Sequence, residues 1–350
     1  MNDLKQTKFK VKVHPFNQKQ KKYCRLLEKY YGIAPSELID AIKIEIFHPK
    51  KNLKERKKAY KEFESIILAL KPIFKELVYE RNRIFRENGD KNYFDFITRR
   101  RGIPPEKLTL FFQRADEVIK DINQNLPLPK RLPQWYWSKF NIPDSLYFFC
   151  EAHRYSIPDD IYRLAKGVFP EVEKIIPRIQ TGPVTDFNPS AKFIKETKSI
   201  FIKVPSKPSI YNALSFVHEL GHALSFIRLA DEGIDPLSKS YYWHETEAYK
   251  FKFQFEEKCL PKEIKNASKG EILGNFFSTF FEYEIYNNPD QDFDKAYAKA
   301  RNRCYPGRAN QEENPFYVLE SGFMNRPCDP TASVVCTELL ASHLREINTC

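Results

Sequence analysis

The chain has 350 residues, of which 42% are hydrophobic, and it includes 29 Phe and 19 Tyr. This supply of apolar side chains can build a sizeable core, so the composition excludes an intrinsically disordered protein. The formal net charge of +11 leaves contact with nucleic acid or another polyanion open.

The first twenty residues carry charges throughout, and no later stretch is long and apolar enough to span a bilayer. The seven cysteines are odd in number and lack CxxC spacing, which argues against a disulfide framework and against a cysteine zinc site. The sequence therefore predicts a protein without a membrane partner, either cytoplasmic or secreted by a route independent of a signal peptide. It makes no prediction about the oligomeric state.

Apolar residues recur at helical spacing along most of the chain, which predicts a mainly α fold. The predicted helices cover residues 20 to 47, 55 to 88, 105 to 124, 143 to 166, 209 to 229, 243 to 259, 270 to 303 and 333 to 347. The exception is the segment from 178 to 206, where Ile200 to Val204 is the best strand candidate. We expect a small β-sheet there, just before the helix at 209, and the edge of its strand could pair with an extended peptide.

Three prolines, Pro127, Pro129 and Pro133, lie close together between two predicted helices. Prolines interrupt helices, so we expect any lobe boundary between 125 and 145. This divides the chain into an N-terminal helical region, 1–130, and a catalytic region, 131–350, unless the two form one continuous domain.

The densest basic run is KKNLKERKKAYK, from Lys50 to Lys61. It contains Glu55 and leads into helically spaced apolar residues, Phe63, Ile66, Ile67 and Leu70. This pattern is typical of the solvated face of an amphipathic helix. Because no recognisable nucleic-acid module accompanies the charge, a nucleic-acid partner is unlikely.

Residues 215 to 226 read SFVHELGHALSF. Residues four apart in a helix share a face, so the imidazoles of His218 and His222 can converge on one metal ion. Zn²⁺ suits two neutral imidazoles plus a carboxylate, and Glu219 would act as general base and acid towards a water held there. Two alternatives to a catalytic zinc site are a pair of ordinary core histidines and a zinc site that no longer hydrolyses substrate. Burying three ionisable groups without a shared partner is costly, which favours the zinc site.

A third ligand is expected twenty to thirty residues further on, where residues 243 to 253 read WHETEAYKFKF. Two carboxylates, Glu245 and Glu247, lie in range. On a helical wheel they fall on opposite margins of the apolar stripe that includes Ala248, so periodicity does not choose between them. His244 could bind substrate or orient a ligand, and Glu247 could orient a ligand imidazole.

Four separated stretches resemble the thimet oligopeptidase and oligoendopeptidase F family of zinc peptidases, and the chain looks like a shortened member. The stretches are residues 71 to 112, 209 to 225 (SIYNALSFVHELGHALS), 243 to 248 (WHETEA) and 313 to 323 (ENPFYVLESGF). They are similar to the family's segment before the catalytic lobe, its zinc helix, its ligand glutamate and its PFYVY segment. The resemblance implies a zinc-dependent peptidase with a helical fold, a small sheet beside the zinc helix and a substrate cleft.

The resemblance also implies roles for single residues. The family has a small residue three positions after its ligand glutamate, so Ala248 points to Glu245 as the third ligand. Tyr317 would supply a hydroxyl to the tetrahedral intermediate. The family's histidine before this tyrosine is missing, since residues 309 to 314 read ANQEEN, and its second tyrosine is also absent. The shorter chain implies a more open cleft and therefore peptide or protein substrates.

Two other functions remain open at this point. ETEAYKF is also similar to the segment that follows HELGH in cytosolic regulatory metallopeptidases resembling ImmA and IrrE. Those proteins join a compact zinc domain to a separate lobe, whereas this chain has a long helical N-terminal half. The alternative from a different class is a non-catalytic basic protein that binds a polyanion.

Overall fold

A computed structural model of the protein describes residues 52–126, 157–184, 190–205, 209–307, 317–318 and 329–349. Most of these residues are helical and a small β-sheet accompanies them, which confirms the predicted mainly α fold. The helix predicted over 20 to 47 and the first part of the one predicted over 143 to 166 lie outside the described residues. Most of the predicted lobe boundary lies outside them too, so the division into two regions stays a prediction.

In the described residues on the N-terminal side of the sheet there are five α-helices and one short 3₁₀ turn. The bounds of the helices are Leu53–Glu87 (α1), Tyr93–Arg101 (α2), Pro105–Asn125 (α3), Asp159–Lys166 (α4) and Pro170–Ile175 (α5). The Asn52 side chain caps α1 by accepting from the N–H of Glu55, whose carboxylate accepts from the N–H of Asn52 in return. Gly102 ends α2 at φ 70°, a left-handed conformation that glycine adopts without strain.

The basic run that follows Lys50 forms the first turns of α1. Its lysines at positions 54, 57, 58 and 61 are exposed. Ala59 and Tyr60, by contrast, are buried in the core. This distribution is the solvated face of an amphipathic helix that the sequence predicted. The charge of this run therefore has an explanation that needs no polyanion.

Three strands form the sheet: Ile179–Val184 (β1), Ser190–Ile194 (β2) and Ser199–Pro205 (β3). β3 is central, parallel to β1 and antiparallel to β2. The strand predicted at Ile200 to Val204 is thereby confirmed as part of β3. The expectation that its edge would pair with a peptide is wrong, because both edges of β3 are already paired. The outer edges of this sheet belong to β1 and β2.

The helices after the sheet are Ile210–Asp231 (α6), Tyr241–Cys259 (α7), Lys262–Asn287 (α8), Phe293–Cys304 (α9) and Thr331–Thr349 (α10). The prediction of a single helix over 270 to 303 is wrong, because the chain leaves the helical conformation between α8 and α9. Pro289 has no N–H with which to continue α8. The Asp292 side chain then accepts from the N–H groups of Asp294 and Lys295 and starts α9.

α6 lies at the centre of the described fold. It packs against α7 on one side and against β2 and β3 on another, while α10 packs against α3 and α7. Gly221 lets α6 approach α7 closely, since a Cβ at this position would lie 2.8 Å from Ala248 Cα and 2.9 Å from Ala248 O. In the described ranges, no helix has both the length and the apolar character needed to cross a bilayer.

Glu282 on α8 is a carboxyl group buried in the core. Its side chain is 0% exposed, and neither carboxylate oxygen hydrogen-bonds to any described residue. Burial raises the pKa of Glu282 to about 8, although the charge of Arg81 opposes the rise. The group is therefore mainly protonated at neutral pH.

The Glu282→Gln variant should show a free energy of unfolding that depends less on pH than that of the parent. The pKa in the folded state lies above the ordinary value of 4.5, so the unfolded chain releases a proton that the folded protein keeps. The stability of the parent therefore falls as the pH rises to about 8. We expect the variant to gain on the order of 3 kcal/mol relative to the parent across this window, measured by denaturant unfolding at its two ends. If the free energy of unfolding changed with pH in the same way in both proteins, Glu282 could not be a buried, neutral carboxyl group.

Candidate metal centre

α6 holds the two motif histidines on one face. The helix begins after Ser209, whose hydroxyl accepts a hydrogen bond from the N–H of Asn212. One turn of helix separates His218 from His222, and their ring centroids lie 4.7 Å apart. His222 is buried and His218 is partly exposed, so the pair lies at the boundary between the core and the surface.

Glu245 on α7 faces both imidazoles. Its Oε2 lies 3.2 Å from Nε2 of His218, and its Oε1 lies 3.3 Å from Nε2 of His222. One ligand atom from each of the three residues lies within 4.8 Å of the others. Two imidazole nitrogens and a carboxylate oxygen at this spacing can hold one metal ion, and zinc prefers this donor set. The structure thus brings together the three residues predicted as ligands.

The pKa values show how strongly these groups interact. Burial alone would raise the pKa of Glu245, but the charges and hydrogen bonds of His218 and His222 lower it well below its usual value. Burial lowers the pKa of His222, yet the hydrogen bond and charge of Glu245 outweigh this effect and raise it overall. The charged form of the buried Glu245 carboxylate is therefore favoured beside the two imidazoles. A divalent cation would be bound by the same charge and the same nitrogen atoms, so the residues present fit a zinc ion.

Glu219 lies next to His218 on α6 and contacts the sheet. Its Oε2 accepts a 2.7 Å hydrogen bond from the N–H of Ala191 in β2. Ala191 lies opposite Ile202 in the register of β2 and β3. Because the N–H of Ala191 donates to Glu219 and not to β3, it points to the outer edge of β2, where it fixes one carboxylate oxygen of Glu219.

Glu247 and His244 have partners other than the cluster. The Glu247 carboxylate pairs with Arg228 at 2.8 Å and with Lys250 at 3.0 Å. His244 Nε2 lies 2.9 Å from the carbonyl oxygen of Pro236, and burial lowers the pKa of this imidazole. The described structure gives neither residue a hydrogen bond to the three clustered side chains. Their predicted roles in orienting a ligand or binding substrate stay predictions.

Tyr317 lies in an aromatic part of the core. Its side chain is 2% exposed, and its ring centroid lies 5.2 Å from that of Phe74, 5.5 Å from that of Phe281 and 5.8 Å from that of Tyr297. Burial first, and then the charge and hydrogen bond of Asp294, raise the pKa of its hydroxyl. The described contacts do not connect Tyr317 with the cluster, and its role as an oxyanion donor stays a prediction.

Contacts that the sequence did not predict lead from Tyr241, one helical turn before Glu245, to Arg101 and Asp329. Burial, and after it the charge of Glu245, raise the pKa of the Tyr241 hydroxyl. The Arg101 guanidinium lies over the Tyr241 ring, 4.1 Å from its centroid. Arg101 also forms a 2.9 Å ion pair with Asp329, just before α10.

The sequence contained a signal for only one of these three. Tyr241 precedes Glu245 by four residues, and Tyr249 follows it by four, so both share its helical face. Tyr249 packs at the edge of the His218 ring, with centroids 4.7 Å apart. Arg101 and Asp329 come from distant parts of the chain, and no spacing rule connects them with the motif.

Solved oligopeptidase structures are similar in fold to this helical protein with its small sheet. A PZ peptidase A in complex with an inhibitor matches with a TM-score of 0.57 and 13% sequence identity, over 95% of this chain and 66% of its own. A structure described as an oligoendopeptidase F matches with a TM-score of 0.55 and 13% identity, over 96% of this chain and 68% of its own.

A third structure, described as an oligoendopeptidase F from Bacillus anthracis, matches with a TM-score of 0.52 and 14% identity, over 94% of this chain and 65% of its own. The protein thus spans about two thirds of the length of the structures that it matches. No protein-family model and no curated protein sequence matches the chain. At this identity the likeness shows the fold, and the predicted resemblance to the oligopeptidases is confirmed at that level.

The Glu245→Ala and Glu247→Ala variants should differ in their affinity for zinc. The first loses a carboxylate that contacts both histidines, so we expect a loss greater than the ten- to hundredfold that follows removal of a group orienting a ligand. The second loses only its pairs with Arg228 and Lys250 and should bind zinc almost as the parent does. Competition with a zinc indicator measures both affinities. If only the Glu247 variant lost zinc affinity, Glu247 and not Glu245 would be the third ligand.

Proposed function

We propose that the protein is a zinc-dependent peptidase that hydrolyses peptide bonds in peptides or proteins. The proposal rests on the convergence of His218, His222 and Glu245 beside Glu219, on a fold similar to solved oligopeptidases. His218, His222 and Glu245 would hold one Zn²⁺ ion. When bound, the ion would polarise the scissile carbonyl group and lower the pKa of the attacking water.

Glu219 would move the proton in this reaction. It would take the proton from the attacking water and pass it to the nitrogen of the leaving amine. Because Oε2 accepts from the N–H of Ala191, Oε1 is the oxygen that can turn to the reacting groups. The backbone donor restricts rotation of the carboxylate, so the proton acceptor is in place before substrate arrives.

The outer edge of β2 is the candidate binding surface for an extended peptide. It is the sheet edge that reaches Glu219, through Ala191. Phe193 is two residues further along the strand, so its backbone N–H and C=O face the same edge. A peptide that pairs there would lie alongside the cluster, with affinity from main-chain hydrogen bonds and selectivity from side-chain contacts.

The fold favours this proposal over the regulatory metallopeptidase that the sequence left open. That alternative expected a compact zinc domain joined to a separate lobe, whereas the oligopeptidase structures match over 94% or more of this chain. The polyanion-binding alternative rests on the net charge of +11 alone, since the exposed lysines of the densest basic run lie on α1 as on an ordinary amphipathic helix.

The direct test combines elemental analysis of the purified protein with a peptide library. We expect one zinc ion per chain and hydrolysis that a chelator stops and added zinc restores. Retention on heparin that depends on salt, in a protein without metal or turnover, would support the polyanion-binding alternative instead.

A further inference from the structure

Tyr241 is the hydroxyl-bearing residue of the site that is both exposed and next to the metal-binding carboxylate. Its side chain is 40% exposed, and it lies one helical turn before Glu245 on α7. We propose that Tyr241 is a catalytic residue that donates a hydrogen bond to the substrate carbonyl oxygen as this oxygen becomes anionic. The inference rests on the proposed peptidase function.

The position of Tyr241 on α7 supports this role. Tyr241 and Glu245 are one helical turn apart, so their side chains lie side by side on the face that α7 turns towards the histidines. Glu245 contacts both imidazoles. The Tyr241 side chain therefore lies next to the carboxylate that faces both imidazoles, and part of its surface is open to solvent.

Arg101 holds the Tyr241 ring in this place. Its guanidinium lies 4.1 Å from the ring centroid, a distance at which cation–π attraction orients an aromatic side chain. Arg101 is itself fixed by its ion pair with Asp329. Gly102, the next residue, packs so closely on Ser240 that a Cβ would lie 2.6 Å from Ser240 Cβ. The end of α2 and the start of α7 therefore hold Tyr241 between them, as a preorganised donor requires.

The other tyrosines near the site fit this role less well. Tyr317 is 2% exposed, in a cluster of aromatic rings whose described contacts lie elsewhere. Tyr249 packs against the ring of His218 and is less exposed than Tyr241. Neither combines exposure with a place next to Glu245 as Tyr241 does.

The test is the Tyr241→Phe variant, assayed for hydrolysis of a peptide, for zinc affinity and for binding of a phosphonate peptide that mimics the tetrahedral anion. We expect kcat to fall roughly a hundredfold with little change in KM, because an oxyanion donor acts on the transition state. Phosphonate binding should weaken by a comparable factor. Zinc affinity should equal that of the parent, since the ring and its contact with Arg101 remain.

The matched control is Tyr242→Phe, which makes the same change one residue away, where the hydroxyl donates to Glu338 on α10. It should keep the parent kcat. An unchanged kcat in Tyr241→Phe would overturn the inference, and so would a parallel fall in zinc affinity, which would make Tyr241 a positioning residue for Glu245. A large loss of kcat in Tyr317→Phe but not in Tyr241→Phe would also overturn it. If the parent hydrolyses no peptide, the proposed function fails and this inference fails with it.

Discussion

The Glu219→Gln variant should lose at least about a hundredfold in kcat/KM for peptide hydrolysis, because an amide cannot accept the proton of the attacking water. Its zinc content and fold should match those of the parent. The amide oxygen can still accept the hydrogen bond from the N–H of Ala191, so the side chain keeps its place beside β2. Peptide hydrolysis at equal zinc content measures the effect.

The matched control for this variant is Glu232→Gln. Glu232 is an exposed carboxylate at the C-terminal end of α6, ten residues beyond His222. The control should hydrolyse peptides as fast as the parent. Parent-like rates in Glu219→Gln itself would show that another group transfers the proton, and the proposed role of Glu219 would be wrong.

The Gly221→Ala variant should lose both stability and zinc affinity. The added methyl group would lie 2.8 Å and 2.9 Å from backbone atoms of Ala248, and no change of side-chain rotamer can relieve contacts with backbone. α6 and α7 must therefore move apart, which costs about 1–3 kcal/mol in a well-packed core. This movement draws Glu245 away from the two histidines, so we expect zinc affinity to fall tenfold or more, as when a ligand loses its support.

Gly167→Ala is the control for the backbone effect of replacing glycine. Gly167 caps α4 at φ −67°, where its nearest neighbour to an added Cβ is 3.9 Å away. This variant should be as stable as the parent or gain about 0.4–1 kcal/mol from a less flexible unfolded chain. Denaturant unfolding and zinc titration compare the two variants. Equal stability in both would show that the contact at Gly221 is looser than described.

The part of the site that lies on one helix could be predicted from the sequence. His218 and His222 are four residues apart, and helix geometry alone places them on one face. The third residue needed more information. The helical wheel placed Glu245 and Glu247 at equivalent margins, and only the crossing of α6 on α7 decides which margin faces the histidines. Gly221 marked that crossing, because a glycine inside an apolar helix often permits a close approach between helices.

Two other features of the site had no readable signal in the sequence. The donor to Glu219 is a backbone N–H, a group that every residue but proline carries, so nothing identifies Ala191 before the register of β2 is known. Arg101 and Asp329 meet only through tertiary structure. The break between α8 and α9 did have a signal in Pro289, but the strong apolar periodicity on both sides concealed it.

The hydrogen bond from Ala191 to Glu219 limits how the protein can be engineered. Backbone N–H groups alternate between the two sides of a strand, so shifting β2 by one residue would turn the donor at this position inward, towards β3. A shift of two residues would restore an outward N–H beside Glu219. Insertions or deletions within β2 are therefore compatible with the site in pairs of residues, whereas single ones would leave the Glu219 carboxylate without its backbone donor.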